Sequence, residues 1–296
     1  MGENSQHELP ANEMYLQTLV VLSAICTGAV LLQNWSSILA AMKGRNDPIE
    51  TTPLKLLVFR RNYLSVYLLN MLGDWLQGPY LYPLYRSYGL SVADIAQLFV
   101  LGFMSSAVIG TFIGSLADSF SKYHVLAFGR IFGGVATSLL FSVFEAWMIR
   151  EHYARYAFSD TDLSDTFAMC SFWNGLVAIL SGGVANVAVD VFGLLAPFIL
   201  AVYVFFGAFM IIILTWPENY GDKLENNGKI ESVFTSLAEG LVYIKKDYWM
   251  FAIGMTQSLF ESAMYTFIFM WSVAIEAAAG DSANIPFGII FASFMV

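Results

Sequence analysis

The chain has 296 residues, of which 57% are hydrophobic and only 12% charged, and its net charge of −9 comes from 23 acids and 14 bases. A folded soluble protein covers itself with polar groups, and this composition carries about half the charged share such a surface uses. It excludes a disordered chain, a nucleic-acid-binding surface and an ordinary soluble enzyme, and it makes lipid the solvent.

Runs of roughly 20 apolar residues are needed to cross about 30 Å of hydrocarbon. Such runs predict helices near residues 15–41, 62–83, 93–117, 123–149, 167–190, 193–216 and 247–275, with an eighth beginning near Ile285 and cut off at Val296. The first is preceded by Met1 to Glu13, a leader with three acids and no Lys or Arg, so it reads as an anchoring helix rather than a cleaved signal. Residues 1–54 are thus a tail, an additional membrane helix and a basic linker. Residues 55–216 form an N-terminal helical bundle, 217–246 a central cytoplasmic loop, and 247–296 the start of a C-terminal bundle.

Short basic loops stay on the cytoplasmic side. Lys43, Arg45, Lys55, Arg60 and Arg61 place the first linker there, and Lys223, Lys229, Lys245 and Lys246 do the same for the central loop. The linkers near 190–193 and 276–284 have no Lys or Arg and face outward, as does the one near 84–92, which has only Arg86. Alternation then fails once. Asp118 and Lys122 are cytoplasmic, yet Arg150 and Arg155 are cytoplasmic too, with one run between them. Either 119–150 hides a re-entrant hairpin or a crossing is missing; the ordinary look of 123–149 favours a lost helix.

Cys26 and Cys170 lie in apolar runs, and His7, His124 and His152 are scattered, so neither a disulfide framework nor a metal centre is expected, and no cofactor. Ionisable groups inside spans cost roughly 2.5–3.5 kcal/mol each and are functional candidates by default. Asp74 lies in Gly73-Asp74-Trp75-Leu76-Gln77-Gly78-Pro79-Tyr80-Leu81-Tyr82, where Gly78 and Pro79 loosen the helix and Gln77 adds an amide. Glu261 follows Lys246 at nearly the spacing at which Asp74 follows Arg61, which suggests equivalent helices of an internal repeat. A carboxylate in low dielectric holds its proton more tightly, so either acid is a candidate for proton coupling.

Arg130, in Gly129-Arg130-Ile131-Phe132-Gly133-Gly134, is the one cation deep in a span. Its planar fork suits a carboxylate such as Asp74 or a tetrahedral oxyanion, and the two readings can coexist. Asn174, in Phe172-Trp173-Asn174-Gly175, is an amide able to donate to an anion or to bridge helices. Glu145, near a cytoplasmic end in Phe144-Glu145-Ala146-Trp147, is a gating candidate. Tyr80, Tyr82, Tyr85 and Trp271 read mainly as an interfacial aromatic belt, and Asp190 as an ordinary helix-end acid.

The Gly73–Tyr82 segment, Gly129-Arg130 with Gly133-Gly134, and Phe141-Ser142 with Phe144-Glu145-Ala146-Trp147 together resemble the major facilitator superfamily, and within it the eukaryotic molybdate-anion transporter family. The resemblance continues through Phe172-Trp173-Asn174, Glu218-Asn219-Tyr220-Gly221, Leu259-Phe260-Glu261-Ser262 and Gly288-Ile289-Ile290-Phe291 with Ser293-Phe294-Met295. It implies an all-α polytopic membrane protein in which Asp74, Arg130 and Glu261 fall on superfamily helices one, four and seven. Superfamily helix three would be missing after Asp118, and the chain would stop within helix eight. The activity implied is secondary active uptake of molybdate by alternating access, with proton coupling as a hypothesis and the cell membrane as location. Arg130 and Asn174 would then face the oxyanion. A facilitator for another oxyanion such as sulfate, and a non-transporting scaffold or receptor-like protein, are the alternatives; an enzyme is the weakest, because no nucleophile–base pair is present.

Overall fold

The computed structural model describes residues 15–25, 54–109, 136, 144–217, 242–280 and 285–296. Among them no strand occurs, and the helices are α1 (Tyr15–Ile25), α2 (Leu54–Gln77), α3 (Leu81–Ser87), α4 (Val92–Ile109), α5 (144–150), α6 (Asp160–Phe192), α7 (Ala196–Thr215), α8 (Tyr248–Ala279) and α9 (Phe287–Met295). A helical turn at 242–246 precedes α8. The chain divides into two compact units, Met1–Trp216 with Ala279–Val296, and Pro217–Ala278.

Local chemistry sets the helix limits in the first unit. α2 ends where Gly78 and Pro79 follow, and Gly78–Tyr80 tightens into a 3₁₀ turn before α3 continues. Proline lacks the N–H an α-helix interior uses. α6 opens with a capping box: the Ser159 hydroxyl accepts from the Asp162 amide while the Asp162 carboxylate accepts from the Ser159 amide. It closes at Gly193, whose φ of 86° favours glycine, and Pro197 then stands in the first turn of α7.

α2 packs between α6 and α7, and α9 lies along α6. The α2–α7 crossing is close because Gly73 has no side chain: a Cβ there would meet the Phe205 ring at 2.6 Å. Near the Leu54 end of α2 and the Asp160 end of α6, Leu56, Phe59, Tyr63, Leu64, Tyr67, Met71, Met148 and Cys170 form a buried cluster. It is capped by Trp147 and Trp216, stacked with ring centroids 3.8 Å apart.

α6, α7 and α8 are each long and apolar enough to cross a membrane. Their outer faces carry large apolar side chains with nothing over them; Val202 and Leu214 on α7 are 65% and 75% exposed. Contiguous surfaces of this kind belong in hydrocarbon, where a helix satisfies its own backbone. In the second unit, α8 starts with the Asp247 carboxylate accepting from the Trp249 amide at 2.8 Å, which satisfies a first-turn donor.

Candidate functional site

The residues around the α2–α6 crossing can be followed from the Leu54 end of α2 toward Gln77. At that end Arg60 is buried, 9% exposed. Its Nε donates to Thr166 Oγ1 at 2.8 Å and its guanidinium to the Asp162 carbonyl at 2.6 Å, with Asp162 Oδ1 at 3.4 Å. Desolvating a guanidinium is costly without such partners, and here three oxygens of the first two turns of α6 surround it. Beside it, His152 is fully buried with Nε2 2.9 Å from the Ser159 carbonyl. In the same linker the exposed Tyr153 hydroxyl donates to Asp160 at 2.8 Å, which raises the phenol's pKa because the proton is held between the two oxygens. Charge counting alone marked Arg60 only as a sign of sidedness; the Asp162–Thr166 pair one turn apart is the signal that could have found its partners.

Next to Arg60 lies an open groove of about 640 Å³ on the outer face of the α2–α6 pair, most of whose lining residues, Leu54, Leu57, Val58, Arg61, Met169 and Trp173 among them, are exposed. Most of its wall is apolar, and Arg60 and Arg61 supply its charged part.

At the level of Asn174, α2 contributes Trp75. The indole Nε1–H donates to Asn174 Oδ1 at 2.8 Å. Indole nitrogen only donates, so this bond fixes which way the amide points and turns its two N–H donors away from Trp75. The Phe291 ring of α9 lies 5.8 Å from the Trp75 ring on the other side. One residue before Trp75, Asp74 is half-buried and is not a free carboxylate. Gln77 turns back on its own helix, donating to the Gly73 carbonyl at 3.0 Å.

Of the remaining candidates, Arg130 lies outside the described residues. Glu145 on α5 is half-buried and within electrostatic range of Tyr63, Tyr67 and Cys170, so it faces the bundle interior. Glu261 on α8, in the second unit, is half-buried and accepts from Gln257 Nε2 at 2.8 Å, one turn away. The structure therefore joins Asn174 to the Asp74-containing segment through Trp75. No group of three or more His, Cys, Asp and Glu able to hold a metal occurs among the described residues.

The tyrosines differ from their sequence reading. Tyr80, Tyr82 and Tyr85 are buried in protein rather than standing at a lipid interface. The 3₁₀ turn at Gly78–Tyr80 swings Tyr80 between α6 and α9, where its hydroxyl donates to Asn186 Oδ1 at 2.9 Å. Asn186 in turn donates to Asp190 at 3.0 Å, so Asp190 has a partner that its place at a helix end did not announce.

Comparison with known proteins agrees with this architecture. The family described as sugar transporters with 12 TM, of the major facilitator type, matches in two pieces, residues 14–124 and 119–296. Curated molybdate-anion transporters from Xenopus laevis and Takifugu rubripes are 35% and 30% identical, over 80% and 94% of this chain and 55% and 64% of their own length. The chain thus spans a little over half the length of the first of these. No solved structure matches it. The relatives are transporters rather than enzymes, and with its apolar helices and a family match along nearly its whole length, this chain belongs to the major facilitator superfamily as an integral, multi-pass membrane protein.

Proposed function

We propose that the chain acts in secondary transport of molybdate, or of an oxyanion with the same shape and charge, across the cell membrane. The observation that carries this reading is the 35% identity to a molybdate-anion transporter, which includes the segments around Trp75 and Asn174 within its 80% coverage. The geometry adds the chemistry. A tetrahedral dianion needs N–H donors and positive charge in a place shielded from water. Asn174, with Oδ1 held by the Trp75 indole, has its NH2 donors turned away from Trp75. Arg130 supplies the deep cation on this reading, and Asp74 pairs with it or accepts a proton during the cycle. Proton coupling follows from the repulsion a charged Asp74 or Glu261 would exert on a dianion. Glu145, facing the interior near the cytoplasmic end, acts as a gate.

The chain lacks superfamily helix three on the same reading. Supporting this, the family match breaks and restarts at 119–124, where the alternation of basic loops fails. The alignment to the Xenopus laevis protein also runs over 261 positions while covering 80% of 296 residues, which leaves about two dozen positions of the relative, roughly one span, unmatched.

The test is uptake of labelled molybdate by cells expressing the chain, with sulfate as competitor. Saturable uptake that falls at least tenfold in Asn174→Asp, which turns a donor into an acceptor carrying negative charge, supports the reading. Undiminished uptake in that variant removes Asn174 from the substrate path.

A further inference from the structure

We propose that the open groove between α2 and α6 seats one phospholipid of net negative charge, with its phosphate on the Arg61 guanidinium and an acyl chain along Leu64, Leu68, Met169 and Trp173. The site needs only a membrane around these helices, so it stands apart from what the chain carries.

Two adjacent arginines of α2 are used in opposite ways. Arg60 is buried and satisfied: Thr166 and Asp162 accept from it, and Asp165 Oδ2 lies 4.0 Å away. Arg61, one residue on, is exposed on the groove, and among the described residues no carboxylate or carbonyl accepts from its side chain. A guanidinium is a planar fork of donors that matches a phosphate, and at the edge of hydrocarbon such a charge is stabilised by an anion. The Ser65 hydroxyl does not share the task, because it donates to the Arg61 carbonyl at 2.7 Å. Among the described residues no acid lines the groove, and Asp162 and Asp165 beside it offset Arg60. The net charge left on the groove is therefore that of Arg61, and it favours an anionic headgroup over a zwitterionic one.

The dimensions suit a lipid chain. Helical side chains lean toward the helix N-terminus, so the Arg61 head lies over the Leu57–Val58 turn while Leu64 and Leu68 continue the groove on its other side. Leu68 stands seven residues beyond Arg61, about 10 Å along α2, and Trp173 eleven beyond Asp162, about 16 Å along α6. Half of a hydrocarbon core is roughly 15 Å, so a chain whose phosphate rests at Arg61 runs the depth of one leaflet against these walls. Ser65, the smallest residue of the lining, leaves the space between Arg61 and Leu68. On the orientation expected from the basic loops this is the cytoplasmic leaflet, where anionic lipids concentrate and where basic pockets between helices hold their headgroups.

The experiment is native mass spectrometry of the full chain, purified in mild detergent and titrated separately with dioleoyl phosphatidylglycerol and dioleoyl phosphatidylcholine. The unmodified chain is expected to bind one phosphatidylglycerol at least tenfold more tightly than phosphatidylcholine. Arg61→Gln should remove that preference, and Ser65→Trp, which fills the groove and keeps the charge, should weaken phosphatidylglycerol binding at least fivefold. Lys245→Gln, at an exposed cation of the other unit, should change nothing. Thermal midpoints taken without lipid show which variants are folded, and either folded groove variant decides the case; the comparison of the two lipids on the unmodified chain stands without them. Equal affinity for both lipids, or a preference that survives in Arg61→Gln, overturns the site. An equal loss in Lys245→Gln assigns the binding to overall surface charge and overturns it too. Displacement of the lipid by glycerol 3-phosphate at matching concentration would mark a site for a free anion and overturn the lipid assignment.

Discussion

Asn174 shows how a single amide takes its chemistry from a neighbour. Its carbonyl accepts from the Trp75 indole, which fixes the direction in which the N–H donors point. Replacing Trp75 by Phe keeps most of the ring's bulk and removes that donor. The amide can then rotate, and molybdate uptake is expected to lose apparent affinity severalfold while the thermal midpoint in detergent falls by only the effect of one hydrogen bond, about 1 kcal/mol. Equal KM in the variant would show that amide orientation does not matter. Arg60 works differently, since its partners are structural: Thr166 and the start of α6. Arg60→Met removes charge-assisted bonds worth about 2 kcal/mol, so the thermal midpoint should drop and surface abundance fall, while KM for molybdate in the surviving population stays unchanged. A changed KM would place Arg60 in the substrate path. Neither role was visible in the residue types alone. Asn174 was legible as a donor-or-bridge and proves to bridge with its acceptor, whereas Arg60 read only as a basic residue of a linker, because the sequence around it carries no mark of its partners, which stand on a helix one hundred residues away.

Helix limits were more legible than helix contacts. Gly78-Pro79 announces a break, and the 3₁₀ turn occurs there; the apolar stretch expected over 167–190 lies inside α6, which extends to Asp160 because Ser159 and Asp162 cap it. Hydropathy underestimates such a helix, since its capped first turn is polar. What periodicity did not give is the pair of close crossings, Gly73 on Phe205 and Gly182 on Gly288. The spacing of small residues Ala178, Gly182, Ala185 and Asn186 was a usable signal for the second. The first is testable through packing. Gly73→Ala puts a methyl into the Phe205 ring and should destabilise the bundle by about 1–3 kcal/mol, seen as a lower midpoint in detergent. Phe205→Leu in the same chain should recover most of the loss. If Gly73→Ala is as stable as the parent, α2 and α7 are not held at this distance.

For the molecule as a whole, composition marked the solvent as lipid, because insertion energetics act on sums over many residues, and the basic loops gave an expectation for its orientation. The same count expects a break in alternation between Asp118 and Arg150, and the family match falls into two pieces, residues 14–124 and 119–296. Tyrosines were the main misreading: an aromatic residue near a span end is ordinarily interfacial, but Tyr80 is carried inward by the turn at Pro79 and spent on α9. The account thus rests on a membrane-embedded path that presents donors and positive charge to a tetrahedral anion. The most direct test is the molybdenum content of cells expressing the chain at trace external molybdate, compared with cells expressing Arg130→Ala at equal surface abundance. The account predicts accumulation well above vector controls in the first and control levels in the second. Control levels in both, or equal accumulation in both, would contradict it.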